Sequence, residues 1–88
     1  MKYRILWSPI ADENFKAFIE RADQAQEKAL LLTVRNINST LIDNPIGCSE
    51  SRSDEVRIAF FDPLAIYFEV MEDIRTVVVI KVWRTDSN

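Results

Sequence analysis

Val56-Arg57-Ile58-Ala59-Phe60-Phe61, Asp62-Pro63, Leu64-Ala65-Ile66-Tyr67-Phe68-Glu69-Val70, Glu72-Asp73 and Thr76-Val77-Val78-Val79-Ile80-Lys81-Val82-Trp83-Arg84 decide the fold. Three β-rich runs are separated by two short turn signals. Strands joined by so few residues fold back on each other, so the runs form an antiparallel meander. Alternation places Val56, Ile58 and Phe60 in one layer with Leu64, Ile66, Phe68, Val70, Val78, Ile80 and Val82. The opposite layer takes Arg57, Ala59, Phe61, Ala65, Tyr67, Glu69, Val77, Val79, Lys81 and Trp83. The assignment is conditional on register, because a slip of one residue exchanges the two sets.

Working outward, Tyr3-Arg4-Ile5-Leu6-Trp7 reads as a first strand. Ser8-Pro9 signals a helix start: the serine oxygen takes an orphan amide, and proline has no amide to lose at the first helical position. Asp12 and Glu13 suit the positive end of the helix dipole. Ala11, Phe15, Phe18 and Ile19 form one apolar stripe, which fades at Glu20-Arg21. Asp23 and Gln26 make a capping pair for a second helix, along which Leu30, Val34, Ile37 and Leu41 recur at helical spacing. Asn44-Pro45 ends it, since a residue before proline avoids helical angles. Segment 46–54 reads as the one loop of length. The expected fold is β-α-α-β-β-β: a two-layer α+β domain spanning 1–88, with a helical hairpin packed on an antiparallel sheet.

Composition bounds the chemistry. The chain has 88 residues, 48% of them apolar, enough for one small core and too many for a disordered chain. No apolar run approaches the roughly 20 residues of a membrane span, and the first residues lack the pattern of a signal peptide, so no membrane and a cytoplasmic location are expected. There is no histidine, which removes a serine–histidine–carboxylate triad and an ordinary zinc site. Gly47 is the only glycine, so no phosphate-cradling loop exists. Cys48 is the only cysteine and lacks a histidine base. The carboxylates are scattered, and no cofactor or metal is called for. A net charge of −3 argues against broad charge-driven nucleic-acid binding.

The order of these elements, with these residues, resembles the RelE/ParE superfamily of bacterial type II toxins, also called plasmid-stabilisation proteins. The markers are Trp7-Ser8-Pro9-x-Ala11, Leu41-x-x-Asn44-Pro45-x-Gly47, Glu50-Ser51-Arg52 followed by Arg57, Pro63-Leu64-Ala65-Ile66-x-Phe68-Glu69-Val70, and Val79-x-Lys81-Val82-Trp83-Arg84. Their order and spacing carry the likeness across nearly the whole chain. The resemblance implies a cognate antitoxin as partner. It implies one of two targets: messenger RNA in the ribosome's decoding site for RelE-like members, or DNA gyrase for ParE-like members, which cut nothing.

Cleaving RNA needs a base, cations that hold phosphorane charge, and an acid. The resemblance implies that Arg57 and Arg84 would be catalytic if the chain were a ribonuclease. Ala59 and Ala65, however, stand where such nucleases tend to carry basic groups, and no tyrosine follows Trp83. Each missing cation removes about 2.7–4 kcal/mol of transition-state stabilisation, by analogy with a lost oxyanion donor. The reading is therefore a ParE-like or degenerate member that binds a macromolecular target. Its alternatives are a ribosome-dependent, metal-independent endoribonuclease and a non-toxic binding relic of the same fold. Target or partner contacts are expected from Arg52, Arg57, Tyr67, Lys81, Trp83 and Arg84. The plainer readings are an Arg57–Glu69 cross-strand pair, packing for Tyr67, and a protein-contact or edge-covering role for Trp83. Phe61, Val77 and Val79 on the outer layer point to a surface covered by a partner or a second copy.

Overall fold

The computed structural model describes residues 2–53 and 55–86. Its elements are β1 (Arg4–Trp7), α1 (Pro9–Arg21), α2 (Gln24–Asp43), β2 (Glu50–Ser51), β3 (Val56–Phe61), β4 (Leu64–Met71) and β5 (Thr76–Arg84), with a short 3₁₀ turn at Glu72–Ile74 before β5. The five strands form one sheet in the order β1-β5-β4-β3-β2. The meander β3-β4-β5 is antiparallel, whereas β1 runs parallel to β5. Glu50 and Ser51, within the expected loop, form a two-residue edge strand on β3. Asp54, also in that loop, lies outside the described residues, as do residues 1, 87 and 88.

The helix boundaries follow their caps. Ser8 Oγ accepts from the Ala11 N–H (3.1 Å) with Pro9 at the first helical position. Asp23 and Gln26 form the full reciprocal capping box of α2 (2.8 and 3.0 Å). Both apolar stripes pack on one sheet face. Ala11, Leu30, Ile37 and Leu41 are buried against Leu64, Ile66, Phe68 and Val82, and Phe15, Phe18, Ile19 and Val34 pack around them. Trp7 Nε1 donates to Asn38 Oδ1 (2.9 Å), tying β1 to α2.

Two strands show a different face from the one alternation assigns. Phe61 lies directly opposite Leu64 across the two-residue turn, where the Asp62–Pro63 bond is cis. Directly opposed residues share a face, so an inward Leu64 requires an inward Phe61. Arg57, Ala59 and Phe61 therefore face the helices, while Val56, Ile58 and Phe60 face away; Phe60 is 59% exposed. In β5 the register shifts between Tyr67↔Lys81 and Phe68↔Val79, leaving Ile80 as an extra residue. Beyond this bulge the sense of alternation reverses. Val77 and Val79 are fully buried in the core, and Val78 and Ile80 turn outward. Phe61, Val77 and Val79 are thus core residues and form no partner surface.

The bulge has polar support from α1. β1 is four residues long and β5 nine, so the later half of β5 has no strand on that side. Ser8 Oγ donates to the Ile80 carbonyl (2.9 Å), and Asn14 Oδ1 accepts from the Val82 N–H (3.2 Å). These side chains satisfy backbone groups that burial would otherwise leave orphaned. α1 thereby closes the sheet edge and brings its last turn to the end of β5.

Candidate functional site

Among the described residues, no second layer covers the outward face of the meander. Across β3-β4-β5 it carries the row Phe60, Ala65, Trp83 and the row Ile58, Tyr67, Lys81. Ala65 is inaccessible and Ile58 is 4% exposed, so their larger neighbours shield them. Tyr67 and Trp83 are diagonal neighbours, with ring centroids 4.9 Å apart at 52°. Such tilted aromatic pairs hold each other's rotamers. Lys81 is exposed beside them and has no ion-pair partner among the described residues.

Arg84 lies on the other side of the sheet. It opposes Leu64 and points toward α1, at the mouth of a cleft of about 520 Å³ lined by Phe18, Arg21, Trp83 and Arg84. Phe18 and Arg21 are one helical turn apart on α1, so both reach the end of β5. Arg21 sits in the last helical turn, where the dipole favours a cation. It has no ion-pair partner among the described residues. Arg84 is held from its own tail: Nε and Nη2 donate to Asp86 Oδ1 and Oδ2 at 2.8 and 2.7 Å. This bidentate bond holds the Asp86 carboxyl below its ordinary range and raises Arg84 above its own. Thr85 turns the tail back onto the β3–β4 connection, its N–H donating to Pro63 O (2.9 Å) and its hydroxyl to Asp62 Oδ1 (2.8 Å).

Arg57 belongs elsewhere. Its Nε donates to Ser49 Oγ (2.6 Å), and its Nη2 donates to Ser49 O (3.2 Å) and Ile46 O (3.4 Å). Ser49 Oγ in turn donates to Pro45 O (2.6 Å). Arg57 thus clamps the segment after α2 onto β3. It neither meets Glu69, which lies on the opposite face across from Val56, nor joins Tyr67, Lys81 and Trp83. From strand spacing, its backbone is roughly 16 Å from that of Arg84: two strands across and four residues along. The two arginines do not converge. Arg52 is exposed in the turn after β2, its N–H donating to Val56 O (2.9 Å).

Other polar groups serve the scaffold. Tyr3 donates to Glu72, which raises its hydroxyl pKa, and Arg75 lies over the Tyr3 ring at 4.0 Å. Burial pushes the Cys48 thiol up, partly countered by Arg57. Among the described residues, no three His, Cys, Asp or Glu side chains are grouped to hold a metal ion. No helix there is long and apolar enough to cross a membrane.

The sequence pattern singles out Arg84 and Trp83 and misses Phe18 and Arg21. Phe18 reads only as a core residue of the α1 stripe, and Arg21 only as the place where the stripe fades. Their spacing of three was visible. The meeting of α1's last turn with the end of β5 was not, because it depends on β1 pairing with β5.

No protein-family model matches the chain, and no match exists among curated proteins. Solved structures do match. The RelBE2 toxin–antitoxin complex of Mycobacterium tuberculosis superimposes with a TM-score of 0.80 at 13% identity, covering 98% of this chain and 95% of that one. The chromosomal ParDE system of P. aeruginosa gives 0.76 at 15% identity over 96% and 97%. The isolated E. coli RelE toxin gives 0.66 at 12% over 98% and 87%. The fold is the RelE/ParE fold: two helices on a five-stranded, mostly antiparallel sheet.

Proposed function

We propose that this chain is the toxin of a type II toxin–antitoxin pair, acting in the cytoplasm by gripping a macromolecular target of the gyrase type. The observation that carries the reading is the superposition on RelBE2 over almost the full length of both chains. Two features of the site favour gripping over cutting. Ala59 is buried in the helix-facing layer and Ala65 in the outward one, so neither place presents a cation. Arg57 is bound into a loop clamp at a distance from Arg84, so the two arginines expected to share a phosphorane's charge do not act together. What remains is a contact surface: Trp83 on Tyr67, with Lys81 on one side and the Arg21–Arg84 cleft around the sheet end.

The antitoxin has apolar surface to cover. Leu6 and Phe60 on the sheet, and Ile10, Leu31 and Leu32 on the helices, are 46–61% exposed. Such residues fit a face that a partner chain or a second copy buries. Inducing the chain alone in bacteria tests the proposal. Growth stops, transcripts stay intact and plasmid supercoiling relaxes; co-expression of a small neighbouring reading frame restores growth. Normal growth with intact soluble protein present refutes a toxin. Cleavage of translated messages within minutes replaces the gripping mechanism with a nuclease.

A further inference from the structure

Arg84, at the mouth of the cleft at the end of β5, already holds an anion, and that anion belongs to the chain itself. Asp86 fills the Arg84 fork with both carboxylate oxygens, in the geometry an external carboxylate would take. The arrangement is poorly suited to permanence. Asp86 lies only two residues from Arg84, its side chain is 48% exposed, and exposed ion pairs contribute little. Arg21, the second guanidinium on the cleft wall, is left without a carboxylate among the described residues. The rings of Phe18 and Trp83 line the same cleft. The lining therefore asks for a carboxylate set beside a large apolar group.

We propose that the cleft binds an acidic residue flanked by a bulky apolar one on a protein partner, and that Asp86 is the intramolecular stand-in that this residue displaces. The occupant is a peptide carboxylate because a carboxylate is what the fork holds, and because the cleft is a local positive site on a chain of net charge −3. A partner with an acidic segment meets charge complementarity here, on a chain whose net charge is otherwise negative. Trp83 connects this cleft to the outward aromatic pair, so a bound segment continues from the sheet end onto Tyr67. Arg84 and Arg21 are binding residues, and Asp86 is a competitor tethered at high effective concentration.

The proposal rests on reading the sheet end as a contact surface, and its test is independent of toxicity. Acetyl-Asp-Leu-Phe-amide is titrated into the full chain while the Arg84 Nε–H and Trp83 Nε1–H resonances are followed. Both shift, the Asn-Leu-Phe counterpart leaves them in place, and Asp86→Asn tightens binding about two- to fivefold, the scale of an exposed ion pair. Arg84→Lys keeps the charge, loses the fork and weakens binding about tenfold or more. Circular dichroism confirms that both variants are folded. Equal affinity of wild type and Asp86→Asn overturns the stand-in role. Binding of adenosine 5′-monophosphate without binding of the aspartyl peptide overturns the carboxylate ligand. Peptide binding without growth arrest refutes only the toxin reading; arrest without peptide binding refutes only this one.

Discussion

Arg57 and Arg84 look equivalent along the chain, each a cation in a largely apolar strand, yet the structure gives them opposite work. Arg57 places its guanidinium across three oxygens of the segment after α2. Hydrogen bonds from a charged donor contribute about 1.5–3 kcal/mol when well shielded, and partial exposure lowers that. Arg57→Ala should therefore cost about 1–2 kcal/mol in urea unfolding, and Arg57→Lys nearly as much, because a point charge cannot span the same acceptors. Neither substitution should alter peptide binding in the cleft. For Arg84 the measurable quantity is protonation of its partner. Asp86 has a folded pKa below its unfolded value near 3.9, so the interaction is present above that value and is lost as pH falls through the lowered folded pKa. The Asp86 carboxyl carbon should titrate below the ordinary aspartate range by NMR, and Arg84→Ala should return it there. The sequence marks both arginines as candidates. It could not separate them, because both project from the helix-facing side and differ in which end of the sheet they reach, a matter of tertiary packing.

The elements themselves were largely legible, and for local reasons. Ser8-Pro9 and the Asp23–Gln26 box are chemical stops that need no tertiary context, and α1 and α2 begin where they say. Strand faces were harder. Val77-Val78-Val79-Ile80 has no polar residue to mark a side, so alternation carries no information there, and the bulge at Ile80 goes unseen. In β3 the decisive clue lies in the turn rather than the strand: two connecting residues pair Phe61 with Leu64 and so fix the face. The bulge depends on α1. Ser8→Ala removes both a helix cap and the donor to Ile80 O, and should cost about 2 kcal/mol. Asn14→Ala leaves the Val82 N–H unpaired at a cost of about 1–3 kcal/mol. Amide exchange at Val82 in Asn14→Ala should accelerate more than the overall loss of stability explains, because the opening is local.

At the scale of the whole molecule, a chain of this length has about 4–13 kcal/mol of stability to lose. Phe68 is fully buried at the centre of the core, and Phe68→Ala should cost about 3–5 kcal/mol, a large share of that total in a thermal or urea melt. Phe60, one strand away but outward and 59% exposed, should tolerate serine within about 0.5 kcal/mol while losing partner binding. The contrast separates the face that holds the fold from the face proposed to meet another molecule. The sheet order has a consequence in time as well. β1 pairs with β5 alone, and nearly 70 residues separate Trp7 from Thr76. At a synthesis rate of about 5–20 residues per second, the nascent first strand waits roughly 3–14 s for the last to be translated. Through that interval the growing polypeptide has no finished sheet, so the proposed gripping surface forms only once the final strand has been translated.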